Sequence, residues 1–454
     1  MEPVIAAFRR AAAASAAYRQ LLDEHGTQPD AIVDLETFTT HCPILTKANT
    51  FDRFSVAELC VDGAMRDLAG VLTSSGHGGR FSFGLTTRRQ QRDGTALIDA
   101  ALEAAFHVTS RDTLVINCLP MGVGFSSNVT TVATTSVRED MVTALVKTFG
   151  SYYEQLVIVS DPLFFKRLLD HARAEQLEWQ RYRLGVVLGE ELFGEHFRSY
   201  AAGALGLDAD APGGGYIMSS FGVGELGLHL GYETPATIAL RRAAFRDRDL
   251  TRDLFGDVAW LPMVLAYNPD RMLVEAIDVD GAGYGRMTIS MLDPDAALPL
   301  LRYQTGDIVR LLNRADVVRL LDRHGISLPA PLPEACLALA GREMDRLPNG
   351  SHVAVHKDAL YADPEVADRI TGAFRVVAAG GFVIVHVQLA KGVELDQKLE
   401  ARVRSALGLE PHRGDVIVAR YEAFPYGVSL DYERKFPYYV PEESPLTSNV
   451  GVLS

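Results

Sequence analysis

Short apolar runs alternate with amphipathic stretches along most of the 454-residue chain. Residues 3–24 place Tyr18, Leu21 and Leu22 among alanines at helical intervals and predict a single helix. Leu68–Leu72 reads as a buried strand ending in the glycine-rich turn TSSGHGGR, with FSFGL as a second strand. Thr86 or Thr87 can cap a helix that runs to about Phe106. LVINCLP, LVIVS (156–160) and LGVVLG (184–189) are further buried strands, and YIMSSFG (216–222) is strand-like. Helices are expected after Pro162 and after Glu190. Strands alternating with helices predict an α/β fold with a largely parallel sheet.

The pattern changes after residue 300. RYQTGDIVRLL predicts strand, turn, strand, and a polar connection follows with Pro329, Pro331 and Pro333. Beyond Gly341 come HVAVHK, FRVVAAGGFVIVHVQLA, an amphipathic helix near 394–407 and DVIVARYEAF. These roughly 110 residues suffice for a small α+β domain. The expected division is 1–341, a large multi-layer N-terminal domain, and 342–454, a small mobile C-terminal domain.

Charge narrows the partners. The net charge is −14 and no Lys/Arg run forms a basic stripe, which excludes a nucleic-acid backbone as the main partner. A local phosphate pocket is still compatible with an acidic surface. Cys42, Cys60, Cys118 and Cys336 make no C-x-x-C pair and read as buried thiols in a reducing compartment. Arg9 and Arg10 interrupt the N-terminal apolar stretch, so it does not read as a secretory signal. No run of about 18 apolar residues predicts a membrane span, and a cytoplasmic protein is expected.

Three constellations carry chemistry. Thr73–Arg80 combines hydroxyls, glycines and an arginine, donors that can converge on phosphate oxygens; a tight hairpin turn is the competing reading. It lacks the lysine of a P-loop and the helix that follows a dinucleotide fingerprint. Ser220–Gly227 places Glu225 in a glycine turn after an apolar strand, where a carboxylate can hold Mg²⁺ beside phosphates or simply be solvated. Arg302–Asp307 ends in an aspartate that can accept two ribose hydroxyls, or form an ordinary turn. No G-x-S-x-G elbow suggests a serine hydrolase.

The order of these motifs, with G-R at 341–342, resembles the adenylate-forming (AMP-binding) superfamily. Tyr18, the stretch Leu35–Phe38, Pro43–Lys47 and the turn Gly189-Glu190-Glu191 are similar to its phenylacetate–CoA ligase-like branch. The resemblance implies ATP-dependent activation of an aryl or other hydrophobic carboxylic acid to an acyl-adenylate, with pyrophosphate release and transfer to CoA. Ser74, Ser75, Gly76, Gly78 and Gly79 would wrap the phosphates. Gly189, Glu190, Phe221 and Gly222 would border the adenine, and Asp307 and Arg342 the ribose. Glu225 would hold Mg²⁺, and Lys435 is the candidate catalytic lysine. Met121, Gly122, Phe125 and His229 would line the acyl pocket. His77, Gly78, Phe81, Gly224 and Met344 depart from the family pattern. No cysteine lies in 226–270, so no zinc is expected. Transfer to a carrier-protein thiol or an amine stays open, as do a homodimer and a non-catalytic nucleotide- or acyl-binding protein.

Overall fold

Five strands begin the main sheet: β3 (Thr113–Asn117), β4 (Thr131–Thr134), β5 (Gln155–Ser160), β6 (Leu184–Leu188) and β7 (Ile217–Val223), preceded in the chain by β1 (Leu68–Thr73) and β2 (Phe83–Thr87). Every residue of β3 and β5 is buried, as expected of strands covered on both faces. These five pair in parallel in the order β4-β3-β5-β6-β7. The computed structural model describes residues 2–62, 64–73, 81–120, 123–208, 210, 215–379, 381–427 and 430–440.

The sheet then changes character. β8 (Gly227–Tyr232), β9 (Met263–Ala266), β10 (Met272–Ile277), β11 (Gly285–Met291), β12 (Tyr303–Leu312) and β13 (Cys336–Arg342) join antiparallel to complete eleven strands, in the order β10-β11-β12-β13-β9-β8-β7-β6-β5-β3-β4. The expected largely parallel sheet is therefore parallel over one half only. Tight connections such as the turn between β7 and β8 permit only antiparallel neighbours.

Two other expectations are corrected. The N-terminal helix is two helices, Glu2–Ala14 and Ala16–His25. Ser15 adopts an extended backbone, accepts from Tyr18 N and donates to the Leu59 carbonyl, so a cap wins over continuity. RYQTGDIVRLL forms the one strand β12, because β11 and β13 pair with it on both sides. Gly306 (φ +83°) and a register shift between Ile308 and Val309 absorb the turn signal.

The chain beyond Arg342 forms a three-stranded sheet, β14 (Ile370–Ala379), β15 (Phe382–Leu389) and β16 (Gly414–Ala419), with the helix Gln397–Leu407 connecting the last two. It packs on the helices Pro162–Ala174 and Glu195–Leu205. Tyr361 lies edge-on to Phe197 at 4.8 Å between ring centres, and Phe164 meets Tyr432 at 5.7 Å. One buried apolar cluster runs through both parts. Among the described residues, no helix is long and apolar enough to cross a membrane.

Candidate active site

The turn between β7 and β8 holds Glu225 at its tip. Leu226 N closes the turn on the Val223 carbonyl at 2.9 Å, and Gly227 supplies φ +129°. A Cβ at Gly222 would stand 2.6 Å from Leu228 Cα, so this position needs glycine for close strand pairing. The base of β7 is fixed by a buried ion network. Glu233 accepts from Ser219 N at 2.8 Å and pairs with Arg198 at 2.7 Å, and Arg198 and Arg241 each lie about 3 Å from Glu195. Burial raises the Glu195 pKa, but Arg198, Arg241 and Arg242 outweigh it and the net shift is downward.

Two observations tie other elements to Glu225. Its Oε1 accepts from the Tyr303 hydroxyl of β12 at 2.7 Å. A Cβ on Gly84 of β2 would stand only 2.0 Å from the Gly224 carbonyl oxygen, so the β1–β2 pair is pressed backbone-to-backbone against the glutamate turn.

Asp307 lies on β12 opposite Arg342 of β13. It is 3% exposed, its Oδ1 lies 3.7 Å from Arg342 Nε, and its Oδ2 has no hydrogen-bond partner among the described residues. Burial raises its pKa; Arg342, the Thr305 hydroxyl and Lys435 pull it partly back. Lys435 approaches from the C-terminal segment and pairs with Glu190 Oε2 at 3.0 Å. Glu190 is a non-glycine residue at φ +65°, directly after β6, and Gly189 N is bonded to the Ser160 carbonyl at 2.8 Å. Its neighbour Glu191 accepts from Lys357 and from the Tyr438 hydroxyl. Asp161, at the end of β5, caps the next helix through Phe164 N. Burial and then the Glu191 charge push its carboxyl up to about 7.

Glu190, Asp307, Arg342 and Lys435 thus meet at the carboxyl ends of the parallel strands, where ligands bind in open α/β sheets. A cavity of about 410 Å³ lined by Val108–Asp112, Val129 and Glu154 lies at the opposite, amino ends of β3 and β5.

Solved structures of 2-hydroxyisobutyryl-CoA ligase in the postadenylation state, with R3-HIB-AMP or 2-HIB-AMP bound, match with a TM-score of 0.68 and 14% identity. They cover 98% of this chain and 90% of theirs. The same ligase in an open conformation with 2-HIB-AMP and CoA gives 0.57, at 14% identity over 97% of this chain and 90% of that one. Its thioesterification state gives 0.56, at 14% identity over 97% and 88%. The chain shares the fold of 2-hydroxyisobutyryl-CoA ligase. No protein-family model and no curated protein matches the sequence.

In this fold the remaining sequence candidates are dispersed. Phe221 is half-buried on β7 against the main core, and Gly189 lies beside Ser220, its nearest backbone oxygen 3.7 Å from where a Cβ would sit. Phe125 belongs to a different apolar cluster with Leu119, Val187 and Tyr216. His229 reaches solvent on β8 while protein surrounds it on most sides; that desolvation, then Arg271, lowers its pKa. Ser74, Ser75, Gly76, Gly78, Gly79, Met121 and Gly122 lie outside the described residues. The sequence reading passed over the Tyr303–Glu225 bond, the Gly84–Gly224 contact and the pairs at Glu191. Only Tyr303 carried a signal, as a member of the Arg302–Asp307 constellation, without a stated role.

Among the described residues no group of three or more His, Cys, Asp or Glu could hold a metal. A Mg²⁺ site needs no such cage, because one or two carboxylates with phosphate oxygens and water complete it. Glu225 fits: one oxygen is held by Tyr303, and Oε2 makes no hydrogen bond among the described residues.

Proposed function

We propose that the protein joins a hydrophobic carboxylic acid to AMP and then passes the acyl group to the thiol of CoA. One observation carries this reading. A buried aspartate with an unpartnered oxygen, Asp307, stands beside two cations, Arg342 and Lys435, at the carboxyl ends of the parallel strands. That set suits a ribose diol next to a phosphate.

In the first step a substrate carboxylate oxygen attacks the α-phosphorus, and the bond to pyrophosphate breaks with its electron pair leaving on pyrophosphate. Asp307 accepts from the ribose hydroxyls. Lys435 exchanges Glu190 for the α-phosphate and the substrate carboxylate, so positive charge lies where negative charge develops. Arg342 holds the ribose side of the nucleotide. Phe221, Gly189 and Gly222 border the adenine. Glu225 would hold Mg²⁺, which neutralises phosphate charge when bound. In the second step the thiol attacks the acyl carbon, AMP departs and the thiol proton is lost to solvent. The apolar surroundings of Phe125 favour an aryl or similarly hydrophobic acid, with His229 at the rim. Residues 342–454 would swing between the two steps. A polar seam supports this: Lys435–Glu190, Lys357–Glu191 and His196–Asp358 join the two parts.

ATP–pyrophosphate exchange against a panel of aryl and fatty acids with Mg²⁺ tests the proposal. Exchange with a hydrophobic acid is expected, with AMP release that depends on added CoA. Exchange with no CoA-dependent AMP release would transfer the second step to a carrier thiol or an amine. A folded protein that binds ATP and exchanges with no acid would overturn the first step.

A further inference from the structure

We infer that Tyr303 is the positioning residue for Glu225, and that residues 42–51 of the opening segment belong to the site because they hold Tyr303. The inference rests on the reading of Glu225 as the cation ligand and adds to it.

Tyr303 is 1% exposed, and its hydroxyl donates to the carboxylate at the tip of the β7–β8 turn. A glutamate in a glycine turn can solvate itself and needs no buried donor. Here one of its oxygens is fixed and the other makes no hydrogen bond among the described residues, so a cation would meet a carboxylate already oriented. Holding a long side chain in advance removes part of the entropy cost of binding.

The opening segment immobilises the phenol. Leu45 forms a parallel bridge to Tyr303, with Leu45 N on the Arg302 carbonyl at 2.9 Å and Gln304 N on the Leu45 carbonyl at 2.8 Å. Arg302, at φ +51°, donates to the Cys42 carbonyl at 2.7 Å and pairs with Glu275 at 3.0 Å. Phe51 meets the Tyr303 ring edge-on, 6.5 Å between centres. Three local anchors therefore converge on one side chain whose only polar atom faces Glu225.

Tyr303→Phe removes the hydroxyl and keeps the ring. Mn²⁺ binding to the protein with ATP, followed by electron paramagnetic resonance, is expected to weaken roughly tenfold, the size of one lost hydrogen bond to a charged group. ATP affinity in EDTA should stay at the wild-type value, and excess Mg²⁺ should restore exchange. Unchanged Mn²⁺ affinity in this variant, with Glu225→Gln weakened, would overturn the role of Tyr303. Unchanged affinity in Glu225→Gln as well would instead overturn the metal reading beneath it. Phe51→Leu leaves the phenol in place and loosens its packing, and a smaller loss of Mn²⁺ affinity is expected. Wild-type affinity in a folded Phe51→Leu protein would overturn the part given to the opening segment.

Discussion

Asp161 shows how a single buried carboxylate acquires a pH signature. Burial, then the Glu191 charge, lift its pKa to about 7, while the bonds from Phe164 and Leu163 N–H pull it down. A raised carboxylate ionises in the unfolded chain first. Its protonated form costs nothing below about pH 4, and stability is lost as pH rises from there to about 7. Asp161→Asn keeps a good helix cap and removes the charge. It is expected to raise stability by about 2 kcal/mol at pH 8, less than the ~4 kcal/mol of the full shift because the new amide needs an acceptor. At pH 4 the two proteins should unfold together, which denaturant titration at both pH values checks. The charges at the nucleotide end make a second test. Lys435→Ala is expected to lower pyrophosphate exchange by about 10²–10³-fold, the scale of one lost donor to developing charge, with ATP binding little changed. Asp307→Ala should weaken ATP binding itself, which calorimetric titration would register. Asp307 was singled out from its motif, and Lys435 as a candidate without a clean motif match. Asp161 was not singled out, because its shift comes from burial and then from Glu191, which only the packing of β5 beside β6 brings near.

Glycine at position 84 has its reason in another element. Its backbone touches the Gly224 carbonyl, and the two-stranded β1–β2 unit has no other sheet to hold it at that height. Gly84→Ala is expected to displace this pair or the glutamate turn, costing about 1–3 kcal/mol of stability and raising the KM for ATP more than it lowers kcat. Equal kinetic constants in the variant would show that the contact is incidental. The strands, and the helix Arg88–Phe106 capped by Thr87, were legible because apolar runs and cap residues act over a few positions. The break at Ser15 and the continuity of β12 were not. In both, a partner distant in the chain decides between two locally allowed conformations: the Leu59 carbonyl for Ser15, and β11 and β13 for β12.

The docking of the last hundred residues was the least legible feature, since its contacts join positions far apart in sequence. Lys357 reaches Glu191, with its ammonium 4.0 Å from the centre of the Tyr438 ring, and Lys435 reaches Glu190. Both lysines therefore hold the C-terminal segment on adjacent carboxylates of one turn. A bond made in only one of two arrangements shifts their balance by its own free energy. Lys357 does not belong to the proposed chemistry, so its loss should act through that balance alone. Lys357→Ala is expected to slow pyrophosphate exchange about tenfold, because the docked arrangement becomes less populated. Thioester formation from a supplied acyl-adenylate and CoA should be unchanged or faster. Rapid-quench measurement of the two half-reactions separates these effects. Parallel loss in both would mean that the pair only stabilises the fold, and a loss confined to thioester formation would assign the docked arrangement to the second step.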